Sequence, residues 1–115
     1  MSELIKKTRI YTEAVNHMDL ETISNLFADK MIFTDPSVTN LTPKPAIMDF
    51  FRLTFEQTQG SLQFKIIDIF EQTNMTILEF EINIGENTYN GVDIFEWEDG
   101  LIVSLRGYVN GLGSS

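Results

Sequence analysis

Up to about Gly60 apolar side chains recur every three or four positions, and from Ser61 onward they recur every second position. The first period is that of helices and the second that of strands, so the chain predicts helices first and a sheet afterwards. Over residues 3–16, Leu4, Ile5, Thr8, Tyr11, Ala14 and Val15 fall near one helical stripe, with Lys6, Lys7, Arg9 and Glu13 mostly away from it. Asn16-His17-Met18-Asp19 interrupts that helix. Asp19 is a good N-cap for a second, short helix carrying Leu20, Ile23, Leu26 and Phe27 inward, and the two form a hairpin. Met31-Ile32-Phe33-Thr34 reads as a short apolar strand stopped by Asp35-Pro36, because proline restricts the residue before it and donates no ladder hydrogen bond. Ser37 to Thr42 is expected as a loop. Pro45 suits the first turn of a third helix, with Ile47, Phe50, Phe51 and Phe55 inward and its end near Gly60.

Beyond Ser61, Leu62, Phe64, Ile66 and Phe70 alternate with Gln63, Lys65 and Glu71, and Leu78, Phe80, Ile82 and Ile84 alternate with Glu79, Glu81 and Asn83. Gln72-Thr73-Asn74, Gly85-Glu86-Asn87 and Glu98-Asp99-Gly100 are turn signals, which separate these strands from one over Tyr89–Trp97 and a last one over Leu101–Val109. Three N-terminal helices followed by a strand meander indicate an α+β fold, the helices packed on a curved, mainly antiparallel sheet that can enclose a cone-shaped cavity. Residues 1–110 are expected to form one domain and residues 111–115 a loose, flexible tail.

The Tyr89–Trp97 strand puts Tyr89, Gly91, Asp93, Phe95 and Trp97 on one face, so a carboxyl sits in an aromatic row. Such a group must find a partner, reach solvent through a cleft or keep its proton, because burying an unpaired charge is costly. Asp93 is therefore the first candidate for chemistry.

Composition narrows what that chemistry can be. With 115 residues and 43% hydrophobic positions the chain is one domain able to bury its own core. A net charge of −9 argues against nucleic-acid binding and disfavours anionic substrates. The absence of cysteine excludes disulfides, thiol catalysis and thiolate metal sites, and His17 as the one imidazole excludes a histidine metal cluster. No Gly-centred acidic loop of the calcium-binding kind is present, and no metal or cofactor is expected. Neither a signal-peptide run nor a membrane-length apolar stretch occurs, so a cytoplasmic soluble protein without a membrane partner is expected.

Tyr11, Asp35 and Asp93 then stand out together, on a helix, a strand end and the aromatic strand. The stretches Tyr11-Thr12-Glu13-Ala14-Val15-Asn16-His17-Met18-Asp19-Leu20, Phe33-Thr34-Asp35-Pro36-Ser37-Val38 and Val92-Asp93-Ile94-Phe95 resemble the three catalytic segments of bacterial ketosteroid isomerase, within the nuclear-transport-factor-2-like (SnoaL-like, cystatin-like) superfamily. Leu26-Phe27-Ala28-Asp29 and Val103-Ser104-Leu105-Arg106 extend the similarity over nearly the whole chain. The resemblance implies an intramolecular, steroid delta-isomerase-like enzyme that moves a proton within an apolar ketone through a dienolate. Asp35 would be the base, with Tyr11 and a protonated Asp93 donating hydrogen bonds to the dienolate oxygen, one aspartate ionised and the other neutral as in that family. The residues are compatible with these roles: Asp93 lies among aromatic rings that raise its pKa, whereas Asp35 lies beside a proline turn nearer solvent, where it can ionise. The family often has a tyrosine bonded to the catalytic tyrosine, at the position held here by Phe51. The pocket walls are assigned to Phe51, Phe80, Phe95 and Trp97, with Phe50 and Phe55 as core residues that can also line the cavity. The resemblance also implies a homodimer formed through the sheet, binding a small apolar ligand, a steroid or another ketone.

Taken singly, these residues have plainer readings. Asp-Pro is a common turn signal, a lone inward tyrosine is most often a core residue, and His17 in the inter-helix turn is a surface residue. The same fold could instead serve a non-catalytic small-molecule-binding or dimerisation module, a SnoaL-type aldol cyclase using the same proton transfer, or an adaptor with an exposed apolar patch.

Overall fold

The computed structural model describes residues 2–110, so the tail expected over 111–115 lies outside the described residues. Helices α1 (Glu3–Asn16) and α2 (Leu20–Leu26) form the expected hairpin, followed by strands β1 (Phe27–Asp35) and β2 (Val38–Leu41), helix α3 (Lys44–Thr58) and strands β3 (Leu62–Gln72), β4 (Met75–Ile84), β5 (Asn87–Glu98) and β6 (Leu101–Val109). The six strands make one sheet in the order β2-β1-β6-β5-β4-β3. Among the described residues only the β1–β6 pairing is parallel, because one helix and four strands of chain intervene between the two in a sheet otherwise built of hairpins. α1 packs on β3 and β4, and α3 packs on β1, so the helices cover one face. This is the α+β architecture the sequence predicts.

Local chemistry sets the boundaries. Ser2 caps α1 by accepting from the Ile5 N–H at 3.0 Å, and Asp19 caps α2 by accepting from the Thr22 N–H at 3.1 Å. Pro45 sits in the first turn of α3. Three expectations need correction. Phe27 is buried but opens β1 rather than closing α2; Lys44 Nζ donates to the Ser24 and Phe27 carbonyls, both at 2.8 Å, and satisfies the helix end there. Ser37 to Thr42 is not all loop. The Asp35 carboxylate accepts from the Ser37 N–H at 2.8 Å and from the Ser37 hydroxyl at 2.9 Å, which reverses the chain and returns Val38–Leu41 along β1 as an edge strand. An edge strand buries little, so its polar Thr39 and Asn40 carry no strand signal. Finally, β3 does not alternate throughout. Ile67 is an extra residue between the Ile66–Phe80 and Asp68–Glu79 pairs; this bulge flips the strand, burying Ile69 and leaving Phe70 50% exposed.

α1 is pinned at both ends. Near its start, Trp97 Nε1 donates to Thr76 Oγ1 at 3.0 Å, Thr76 and Thr8 hydroxyls meet at 2.8 Å, and Thr8 donates to the Leu4 carbonyl at 2.8 Å. That chain satisfies the buried Thr8 and Thr76 hydroxyls and links α1 to β4 and β5. At its far end Asn16 brackets Phe64 of β3, accepting from its N–H at 2.7 Å and donating to its carbonyl at 2.9 Å. Tyr11 lies between these anchors.

Gly91 of β5 faces the helices where any side chain would collide. A Cβ there would lie 2.3 Å from the Tyr108 carbonyl oxygen and 2.8 Å from the Phe80 ring. Gly91→Ala is therefore expected to destabilise the fold by about 3 kcal/mol, the upper part of the overpacking range, read as a lower denaturant midpoint at unchanged slope.

Among the described residues no helix is long and apolar enough to cross a membrane, and no group of three or more His, Cys, Asp or Glu side chains could hold a metal ion.

Candidate active site

Between the helices and the sheet lies a cavity of about 220 Å³. Tyr11 enters it from the middle of α1, Asp93 from the centre of β5 and Asp35 from the end of β1, so residues 24 and 58 positions apart in sequence converge on one space. The walls are mostly rings and branched aliphatics, including Phe33, Phe50, Phe51, Phe55, Phe64 and Phe80. The hydroxyls of Ser37, Thr54 and Thr58 are the other polar side chains along them.

The strand period places Asp93 as expected: Asp93, Phe95 and Trp97 all point to the helix side, and Asp93 is 5% exposed. Burial, and then the charge of Asp35, push its pKa up to about 8. Tyr11 is 4% exposed, and its hydroxyl is raised well above its ordinary value by burial first and by Asp93 and Asp35 next. Among the described residues no fully enclosed side-chain nitrogen or oxygen lacks a partner, and the polar ends of Tyr11 and Asp93 face the cavity. At ordinary pH both groups are thus neutral donors directed at one apolar space. Asp35 is less enclosed. It borders both this cavity and an open groove of about 810 Å³ on the outer side of the sheet, along Glu79, Asn90, Val92 and Tyr108.

Phe51 and Phe80 line the cavity, and the Phe51 ring meets Tyr11 edge-on with centroids 6.4 Å apart, offering it no hydrogen bond. Phe95 and Trp97 do not line it. Phe95 packs edge-on beneath Tyr11 at 5.2 Å, stacked on Trp97 at 6.0 Å, and both are buried core residues that position the tyrosine ring from behind. They fall deeper because the helices close over the Trp97 end of β5. His17 is an exposed residue at the end of α1.

One residue of the site carried no sequence signal for chemistry. A Cβ on Gly107 of β6 would lie 2.8 Å from Asp93 Oδ1 and 3.8 Å from Asp35 Cβ, so this glycine provides the room in which the two carboxyls approach. Its in-register partner across the ladder is Asp93 itself. Gly107→Ala is expected to displace the Asp93 carboxyl and so change the pH at which it titrates, read by NMR titration of the Asp93 carboxyl in variant and wild type. Thermal unfolding should move little, because a carboxyl end can yield where a backbone cannot.

Comparison with known proteins adds a family. A model described as SnoaL-like domain matches residues 8–105. No curated protein matches the chain. Among solved structures, an NTF2-like protein of unknown function from Burkholderia pseudomallei superposes with TM-score 0.85 at 16% identity, over 96% of this chain and 92% of the other. Bal32a from a soil-derived mobile gene cassette gives 0.81 at 17% identity, over 96% and 91%. An LEH-like epoxide hydrolase from M. tuberculosis gives 0.75 at 20% identity, over 94% and 83%. These likenesses establish a shared NTF2-like fold, and since the family model spans most of its length, the chain belongs to the SnoaL-like domain family.

Proposed function

We propose that the protein is a cofactor-independent enzyme that transfers a proton within an apolar ketone, an isomerase of the ketosteroid isomerase kind. The observation that carries this reading is a buried carboxyl, held protonated up to about pH 8, lining one cavity with a buried tyrosine hydroxyl and a second carboxyl. In the proposed step the Asp35 carboxylate takes a proton from the carbon next to the ketone, and the electron pair moves onto the ketone oxygen. The Tyr11 and Asp93 hydroxyls stabilise that oxygen in a water-poor space, where two such donors are worth far more than in bulk water. Asp35 then returns the same proton to a different carbon, leaving a conjugated product and the enzyme unchanged.

A cavity of about 220 Å³ favours a ketone smaller than a steroid, since pockets for drug-sized ligands start near 300 Å³. The test is the ultraviolet assay for conversion of β,γ-unsaturated ketones to conjugated enones, run on a 3-ketosteroid and on a monocyclic ketone with wild type, Asp35→Asn and Asp93→Leu. Turnover of either, lost in Asp35→Asn, is the expected result. Ligand binding without turnover of any ketone would favour a binding module. The epoxide hydrolase among the solved relatives supports a second reading, in which Asp35 activates water and the Asp93 proton passes to the opening epoxide oxygen. Including an epoxide and an aldol substrate in the assay separates these uses of one acid and base.

The same reading has the enzyme acting as a cytoplasmic homodimer. Phe70, Ile77 and Ile94 form an apolar row across β3, β4 and β5 on the sheet face away from the helices, and Tyr108 beside Val92 is 51% exposed. Such a face supports pairing of two copies.

A further inference from the structure

The far wall of the cavity has its own chemistry. Thr54 and Thr58 stand one turn apart on α3 and both line the cavity among Phe55, Leu62 and Ile84. Each has already used its only hydroxyl proton: Thr54 Oγ1 donates to the Phe50 carbonyl and Thr58 Oγ1 to the Thr54 carbonyl, both at 2.8 Å. What they present to a ligand is therefore acceptor lone pairs. The opposite end presents donors, from Tyr11 and Asp93.

Helix rise fixes the spacing. Phe51, whose ring packs on Tyr11, is three residues before Thr54 and seven before Thr58, so the two oxygens lie about 4.5 and 10.5 Å further along α3. Between the two polar ends the walls are apolar. From this polarity we infer that the substrate is a ketone that also carries a neutral hydrogen-bond donor, a hydroxyl, at the end remote from its carbonyl oxygen, and that Thr54 and Thr58 select for it. An ammonium would not serve, because two hydroxyl oxygens cannot compensate a desolvated charge. This inference rests on the reading above that the carbonyl is held by Tyr11 and Asp93.

The test uses two phenols of equal heavy-atom count, 4-butylphenol and 4-(3-hydroxypropyl)phenol, the phenolic oxygen standing for the enolate oxygen. Their dissociation constants are measured by calorimetry on wild type, the double variant Thr54→Val/Thr58→Val, the double variant Thr54→Ser/Thr58→Ser, and Asp93→Leu. Valine keeps the shape of threonine but leaves the ligand hydroxyl buried without a partner. The affinity ratio favouring the hydroxylated phenol should therefore fall at least about fivefold in the valine variant and persist in the serine variant. Asp93→Leu should weaken both phenols alike. A ratio unchanged by valine overturns the inference while Asp93-dependent binding leaves the enzyme reading standing. Phenol binding indifferent to Asp93→Leu overturns that reading, and the inference with it.

Discussion

Asp35→Asn is expected to lower kcat by a factor of about 10² to 10⁴, the usual contribution of a positioned general base, while leaving the affinity for a phenol and the thermal stability nearly unchanged. The structure makes this substitution unusually informative. Asp35 has a structural duty as well: its carboxylate accepts from the Ser37 N–H at 2.8 Å and hydroxyl at 2.9 Å, and so forms the turn into β2. Asparagine retains an Oδ1 that accepts both bonds and is as well suited to such turns as aspartate. A residue serving only the turn would therefore tolerate the change in every measurement, whereas a base could not, since an amide takes up no proton. Steady-state kinetics beside a thermal melt reads the two duties apart. Unchanged kcat with an unchanged melt would reduce Asp35 to a turn residue. Asp35 is also a charge that raises Asp93, so the same variant should move the titration of Asp93 to lower pH.

Much of this site was legible in the sequence because period alone assigns faces. On β5 an alternation of two placed Asp93 with Phe95 and Trp97 on the helix side, and on α1 the stripe through Thr8, Tyr11 and Val15 turned the phenol inward. What period cannot convey is depth along an element. Phe95 and Trp97 share the face of Asp93, yet they lie under Tyr11 in the core, because the distance from the closed end of the cavity depends on where helices from elsewhere in the chain come down. Counting straight through Ile66-Ile67-Asp68 turns Phe70 inward, because an inserted residue in that run is invisible until its partners on β4 are known. β2 is silent in the sequence for a related reason: its pairing depends on Asp35 and Ser37 forming a turn, not on its own side chains. Gly107 could be found only through the ladder, as the residue across from Asp93.

Asp93 should impose opposite pH dependences on stability and on its own replacement. Its carboxyl titrates at an ordinary 3.8 when exposed in the unfolded chain and at about 8 in the native state. Between those values the native protein holds a proton that the unfolded chain has released, so the free energy of unfolding falls as pH rises from about 4 to about 8, and levels off above. Asp93→Asn has no proton to lose at this position. Relative to wild type it should gain stability across that window, by an amount on the order of several kcal/mol at pH 9, read from paired denaturant melts at pH 4 and pH 9. Activity should move the other way. In wild type kcat/KM should decline as pH rises through about 8, because an ionised Asp93 repels the oxyanion it otherwise holds. Asn keeps an N–H donor, so that variant should retain part of the activity and lose the alkaline limb, whereas Asp93→Leu, with no donor, should lose about 10² to 10³ in kcat. An alkaline limb that survives in Asp93→Asn would assign the titration to another group. The combination expected here, a more stable and less active protein from one neutralised side chain, is what a solvated surface aspartate could not produce.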